Sequence, residues 1–276
     1  MTHIAGVATK DDPPVLHAAI GLGEKIRGAS EEIEAGRRLP ASLAAGMREA
    51  GIFGMVMPRS WGGPELDPLT QFRVFEALAM ADGSVGWCAM INCDGGYFTA
   101  FLEDDVGRAM YPDLSVATCA ALTTTGRARR VKDGYHVTGR FPFLSGCHHS
   151  EWAWLGCLVV DDDGAPLSDR HGVPQTRQCC LPVARCEILD TWHTTGLRGT
   201  GSNDLAVHDQ FVPDERSFSF QDPRLVKRAG PLYAFPFMFA AKGAAPALGI
   251  ARHAIDAFVE SAAGKPARRY TRGERV

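Results

Sequence analysis

No C-x-x-C pair occurs among the eight cysteines, Cys88, Cys93, Cys119, Cys147, Cys157, Cys179, Cys180 and Cys186. That absence argues against zinc ribbons and thioredoxin-like redox motifs. A chain of 276 residues, 45% of them apolar, can bury a core without disulfide staples. The cysteines therefore read as reduced, small buried hydrophobes of a cytoplasmic protein. No uninterrupted apolar run approaches the ~18 residues of a membrane span. The N-terminal "MTHIAGVATKDDPP" has no apolar core of a secretory signal. Charge of one sign is also missing: the net charge is −3, so no field gathers nucleic acid or an anionic membrane. The basic exception is the tail "KPARRYTRGERV", read as a solvated terminus or helix end. "GTGSND" (199–204) does not complete G-x-G-x-x-G and no βαβ pattern surrounds it, which argues against a Rossmann site; no P-loop is present.

What remains is a helical first third. Val15, Leu16, Ala19, Ile26 and Ile33 mark an apolar stripe ending near Arg38, and a second helix runs from Pro40 to Gly51. Asp67 is expected to cap a helix with Pro68 at its first position and Leu69, Phe72, Phe75 and Leu78 on one face. Ser84 is expected to cap the next, which breaks near "CDGGYF", and a short helix follows over 103–110. After Asp113 the texture changes to short β-rich runs: "LSVATCAAL", "GRARRV", "GYHVTGRF", "EWAWLGCLVV", "RQCCLPV" and "NDLAVHDQFVP". These predict a small barrel or sandwich, with "KDGY" as a tight turn and 161–175 as a polar loop. From about Pro223 the pattern is helical again, over 238–262, and one helix cannot bury its own face. The expected division is an α-helical domain over 1–113, a middle β-domain over 114–222 and part of a C-terminal helical domain over 223–276.

The stretch "GRFPFLSGCHHSEWAWLGC" (139–157) holds the densest chemistry. Cys147, His148 and His149 resemble metal ligands, but adjacent histidines in a strand face opposite ways and no second Cys/His cluster lies at zinc spacing, so no metal site is predicted. Ser145 lacks the G-x-S-x-G frame and any identifiable base. Strand alternation would place Phe141, Phe143 and Ser145 on one side, a wall for a flat ring with a hydroxyl at its edge; core packing explains the same aromatics.

The order of three motifs carries a resemblance. "GIFGMVMPRSWGGPELDPLTQFRVFEALAMADGSVGW" (51–87), "DGYHVTGRFPFLSGCHHSEW" (133–152) and "DTWHTTGLRGTGSNDLAVHDQFVP" (190–213) resemble, in sequence order, the helical domain, the flavin-binding strand pair and the later strands of the acyl-CoA dehydrogenase superfamily. The likeness covers roughly residues 14–260. The "SGC-H" form, the "D-W…GLRGTGS" form and "PLYAFPF" (231–237) are more similar to the two-component flavin monooxygenases, including the oxygenase components of 4-hydroxyphenylacetate and secoandrostatriene-dione hydroxylases.

The resemblance implies an α+β multidomain fold and an oxygenase that hydroxylates an aromatic or polyketide-like molecule. It implies reduced flavin, FMN or FAD, delivered by a separate NAD(P)H:flavin reductase, with O₂ activated on the ring. Carried over residue by residue, Phe143 and Leu144 would contact the isoalloxazine and Ser145 Oγ would lie near N5 as the catalytic residue. Backbone groups around Cys119, Ala120 and Ala121 would meet the pyrimidine edge. Trp87, Asn92, Asp94 and Tyr97 would line the substrate side; the phenol hydroxylases place a histidine in the segment matching "INCDGGYF", for which Asp94 is the nearest polar substitute here. Arg198 and Ser202 are given a structural role. The superfamily's C-terminal domain is a helical bundle that builds the oligomer. This sequence reaches its first helix, so a homo-oligomer or a partner supplying the further helices is expected. The rivals are an acyl-CoA dehydrogenase and a non-enzymatic relative with a binding or assembly role. Against the former, "FPFMFAAKG" around Phe239 offers no acid for the proton abstraction that reaction needs.

Overall fold

Prolines and glycines set the ends of the early helices. α1 (Pro14–Gly21), α2 (Gly23–Gly28) and α3 (Ser30–Gly36) follow one apolar stripe that bends twice, and Arg37, at φ 50°, ends it in the left-handed region. Leu16, Ala19, Ile26 and Ile33 are all buried. α4 (Ala41–Glu49) starts after Pro40 and is closed by Gly51 at φ 73°. The computed structural model that shows this describes residues 9–221, 226–234 and 241–263. The first residues of the helix expected over 238–262, Phe239 with them, and the basic tail lie outside the described residues.

α5 (Pro68–Ala81) begins as expected, with the Asp67 carboxylate accepting from Thr70 N at 3.1 Å. Its buried face differs from the expected one. Gln71, Val74, Phe75 and Leu78, an i, i+3, i+4, i+7 set, turn inward, while Leu69 is 68% exposed because it falls off that stripe. α6 (Gly83–Asn92) is capped by Asp82, not Ser84: its carboxylate accepts from Ser84 N at 2.8 Å and Val85 N at 3.2 Å. α7 (Gly95–Phe98) and α8 (Asp104–Met110) complete this layer. α9 (Ala244–Ala263) returns to pack its first half on α5 and α6. Ala79 is the meeting point. A Cβ on Gly86 of α6 would lie 2.7 Å from Ala79 N, and one on Gly249 of α9 would lie 2.7 Å from Ala79 Cβ. Three helices thus touch through backbone, and only glycine fits on two of them.

The β-rich runs form one seven-stranded sheet, in the order β5-β6-β2-β1-β3-β4-β7. Its strands are β1 (Thr118–Val131), β2 (Gly134–Leu144), β3 (Trp152–Val160), β4 (Thr176–Pro182), β5 (Glu187–Leu189), β6 (Asn203–Pro213) and β7 (Ser217–Phe218). All pairs are antiparallel except β1 with β3. Two expected runs merge into β1, whose register against β3 skips between Ala121 and Gly126. β1 and β2 join through Lys132 and Asp133, the latter at φ 61°, and stay paired only as far as Arg127 and Thr138. Beyond that point β1 follows β3 and β2 follows β6, so the two strands open into a fork. Phe141 is buried at its base against the bare face of Gly126.

At Gly86 the packing yields a stability prediction. Gly86→Ala gains up to about 1 kcal/mol in helix propensity but places a methyl against backbone that cannot retreat. We expect a net loss of about 1–3 kcal/mol, measured as a lower urea midpoint with unchanged slope.

Candidate functional site

Asn92, the last residue of α6, reaches into the fork. Its Nδ2 donates to Thr118 O on β1 at 3.2 Å and to Ser145 O, just past β2, at 3.0 Å. Those two carbonyls fix the amide's orientation, so Oδ1 is the atom that faces His149 Nε2 at 2.9 Å. Gly146, at φ 73°, is obligatory here, since any Cβ would collide with that amide.

The two histidines sit in a 3₁₀ turn (Cys147–His149), not in a strand as expected. Their hydrogen bonds assign opposite tautomers. His149 Nε2 must donate to Asn92 Oδ1, which leaves its Nδ1 bare, buried and without a partner. Asn203 Oδ1 accepts from Thr191 N at 3.0 Å and Trp192 N at 2.9 Å, so its Nδ2 donates to His148 Nε2 at 3.0 Å. Cys147 Sγ donates to a third site, Gly201 O. These three side chains therefore serve three separate partners, and among the described residues no group of three or more His, Cys, Asp or Glu could hold a metal ion. Burial pushes His149 down to about 4, with His148 and Arg48 adding to it. The ring stacks on Phe53 at 5.7 Å. Both residues line a cleft of about 820 Å³ with Arg38, Arg48 and Glu151.

Ser145 is held from three elements. Its backbone O accepts from Asn92, the next amide, Gly146 N, donates to Thr200 O at 2.8 Å, and its Oγ lies 3.0 Å from Trp87 Nε1 and 2.7 Å from Ser202 Oγ. Ser202 Oγ in turn lies 2.7 Å from Thr200 Oγ1. Ser145 is 5% exposed, beside a half-buried Trp87.

The expected aromatic wall is corrected. Between Phe141 and Leu144 the β2–β6 register shifts, and Phe143 takes φ 63°. This bulge breaks the alternation: Phe141 and Leu144 are fully buried in the sheet core, while Phe143 is 67% exposed with its ring edge-on to Trp192 at 6.2 Å. Leu144 therefore presents no side chain to an outside ring. Cys119 and Ala121 are buried and Ala120 half-buried, their backbones laddered to β3. Among the described residues their β2-facing edge has no ladder partner, since β2 has left. Residues 123–125 beyond them are exposed.

The expected substrate residues also part ways. Trp87 stays beside Ser145. Asn92 is fully buried in the fork. Asp94 is buried in an ion pair with Lys242, whose Nζ also donates to Met90 O at 2.9 Å and lies over the Tyr97 ring at 5.1 Å. Burial pushes the Asp94 carboxyl up, against the pull of Lys242. Tyr97 donates to Gln71 Oε1 at 3.0 Å and borders a small apolar pocket with Phe98, Phe101 and Leu232. The polar atoms of Asn92 and Asp94 are thus engaged within the protein. Arg198 holds α3 through Glu34 O at 3.2 Å. Thr200 and Lys242 were not foreseen; the only signal for Thr200 is its place between two glycines in "GTGS", and Lys242 carries none.

His149 gives this site a pH dependence. The unfolded chain takes up the proton near 6.5, the folded one only near 4. Between those values the unfolded state binds more protons, so stability falls as pH drops through the window. His149→Gln, which keeps a donor for Asn92, should flatten the slope of urea midpoint against pH from 6.5 to 4.

Residues 22–104 match the acyl-CoA dehydrogenase N-terminal domain. The chain is 32% identical over 263 residues to the flavin-dependent monooxygenase oxygenase subunit HsaA of Rhodococcus jostii, covering 91% of this chain and 66% of that protein. It is 31% identical over 282 residues to the HsaA oxygenase subunit of Mycobacterium tuberculosis, covering 99% and 69%. Among solved structures, the 3-HSA hydroxylase from Rhodococcus sp. RHA1 superposes with a TM-score of 0.85 at 29% identity, over 94% of this chain and 68% of that one. The chain thus spans about two-thirds of the length of these relatives. The chain belongs to the family of flavin-dependent monooxygenase oxygenase subunits, built on the acyl-CoA dehydrogenase fold.

Proposed function

We propose that the chain is the oxygenase component of a two-component flavin-dependent monooxygenase, acting on an aromatic or polyketide-like small molecule. The observation that carries this is the Ser145 hydroxyl, held at the fork between Trp87 and Ser202 beside the exposed Phe143. An apolar ring surface, a fixed hydroxyl at its edge and a strand edge with no ladder partner suit a flat heterocycle with a polar rim. Phe143 would support the ring, Ser145 would hold its N5 edge, and the free edge of Cys119, Ala120 and Ala121 would meet its pyrimidine side. Trp87 would stand on the substrate side. Reduced FMN or FAD, when bound, supplies the O₂ chemistry; the chain's own part is to orient the ring, exclude water and hold that edge. A separate NAD(P)H:flavin reductase would deliver the flavin, and the 1–113, 114–222 and 223–276 division would be the working one.

The same reading includes assembly. Leu248, Ile255, Phe258 and Val259 of α9 are each more than half exposed, an apolar face that favours association. We expect a homo-oligomer, or a complex with a partner that supplies covering helices. Sedimentation at micromolar concentration checks this, and a monomer would contradict it.

For the site itself, Ser145→Ala should leave flavin binding nearly intact. In a reductase-coupled assay the share of NADH that ends as hydrogen peroxide should rise. One neutral hydrogen bond limits the change to about tenfold. Unchanged peroxide release would remove Ser145 from the reaction, and failure to bind flavin in any state would remove the oxygenase reading.

A further inference from the structure

A chain of hydroxyls leaves Trp87 and ends on a carbonyl, and its two ends set its direction. The indole Nε1 only donates, and a carbonyl oxygen only accepts. Each hydroxyl between them has one proton. Thr200 Oγ1 donates to Leu197 O at 2.9 Å. It therefore accepts from Ser202 at 2.7 Å, and Ser202 in turn accepts from Ser145 at 2.7 Å. Ser145 accepts from Trp87 Nε1 at 3.0 Å. The Ser145 oxygen is left with one lone pair and no proton to offer. All three hydroxyl residues are at most 5% exposed, which limits the access of water that could rearrange the chain.

We propose that Ser202 and Thr200 hold Ser145 as a fixed hydrogen-bond acceptor, and that this selects reduced over oxidised flavin. The proposal rests on the flavin site described under Proposed function. A reduced isoalloxazine carries N–H at N5; an oxidised one presents a bare lone pair there. An acceptor hydroxyl pairs with the first and opposes the second. Ser202 and Thr200 need not touch the ring: they act through Ser145 and are positioning residues. Reversing the chain means turning the Thr200 proton away from Leu197 O. That carbonyl would still accept from Trp192 Nε1 at 3.1 Å and Thr200 N at 3.1 Å. The reversal thus forfeits about one hydrogen bond, which bounds the discrimination at on the order of tenfold in affinity.

The test is an anaerobic titration of the 276-residue chain with oxidised and with chemically reduced FMN and FAD, comparing wild type, Ser202→Ala and Thr200→Val. Either substitution frees the Ser145 proton. Wild type should bind reduced flavin more tightly. Both variants should bind oxidised flavin severalfold more tightly, up to about tenfold, with reduced flavin nearly unchanged. The midpoint potential of the bound flavin should then fall by up to about 30 mV, the two-electron equivalent of tenfold. Equal changes in both redox states would assign Ser202 and Thr200 a packing role and overturn the proposal. So would a wild type that binds both states equally, a result that stands even where a variant does not fold. Absence of binding in either state is a different outcome: it overturns the flavin site, and this proposal with it.

Discussion

The side-chain amide of Asn92 joins the helical layer to the sheet where β1 and β2 part. β1 and β2 are hairpin partners for a few residues and then leave for different neighbours. Two strand ends are left whose inner carbonyls need donors away from water. One amide, anchored at the end of α6, serves both, and passes its remaining acceptor to His149. A buried polar group costs free energy unless its partners are all present. Every residue around Asn92 is accordingly constrained: Gly146 by space, His149 in tautomer, Ser145 in backbone position.

From that anchor the local chemistry follows. Ser145 sits at the fork because Asn92 holds its carbonyl and Thr200 its neighbour's amide. The bulge before it lets Leu144 remain in the core while Phe143 turns out. A regular strand would have faced Phe141 and Phe143 the same way and left no exposed ring at the fork. The strained φ of Phe143 is what separates a core residue from a surface one over two positions.

A second buried polar contact ties the returning helix to the first layer. Lys242, two residues ahead of α9, is fully buried against Asp94 and Met90 O. Removing either charge alone would strand the other in a low-dielectric interior. The pair thus specifies where the helix lands, while the glycines at 86 and 249 permit how closely it lies. Beyond that docked first half, α9 runs on with its apolar residues exposed.

Periodicity and caps determined much of this molecule from the sequence alone. The helical texture over 14–110, the change to strands after Asp113 and the return to helix late in the chain were legible, because helix starts and turn residues act within a few positions. The order of three motifs was enough to place the chain in its superfamily. What only the tertiary structure decided lies where distant segments compete for the same group. Ser84 was the expected cap of α6, and the structure puts the cap at Asp82, whose carboxylate reaches the Ser84 and Val85 amides. The alternation of 141–145 was a sound strand rule that a bulge against β6 cancelled. Asn92 and Asp94 looked like polar residues awaiting a ligand, because their partners, Thr118 and Ser145 for one and Lys242 for the other, stand far along the chain. A sequence shows which side chains can hydrogen-bond; which of them already do depends on the approach of backbones that only folding brings together.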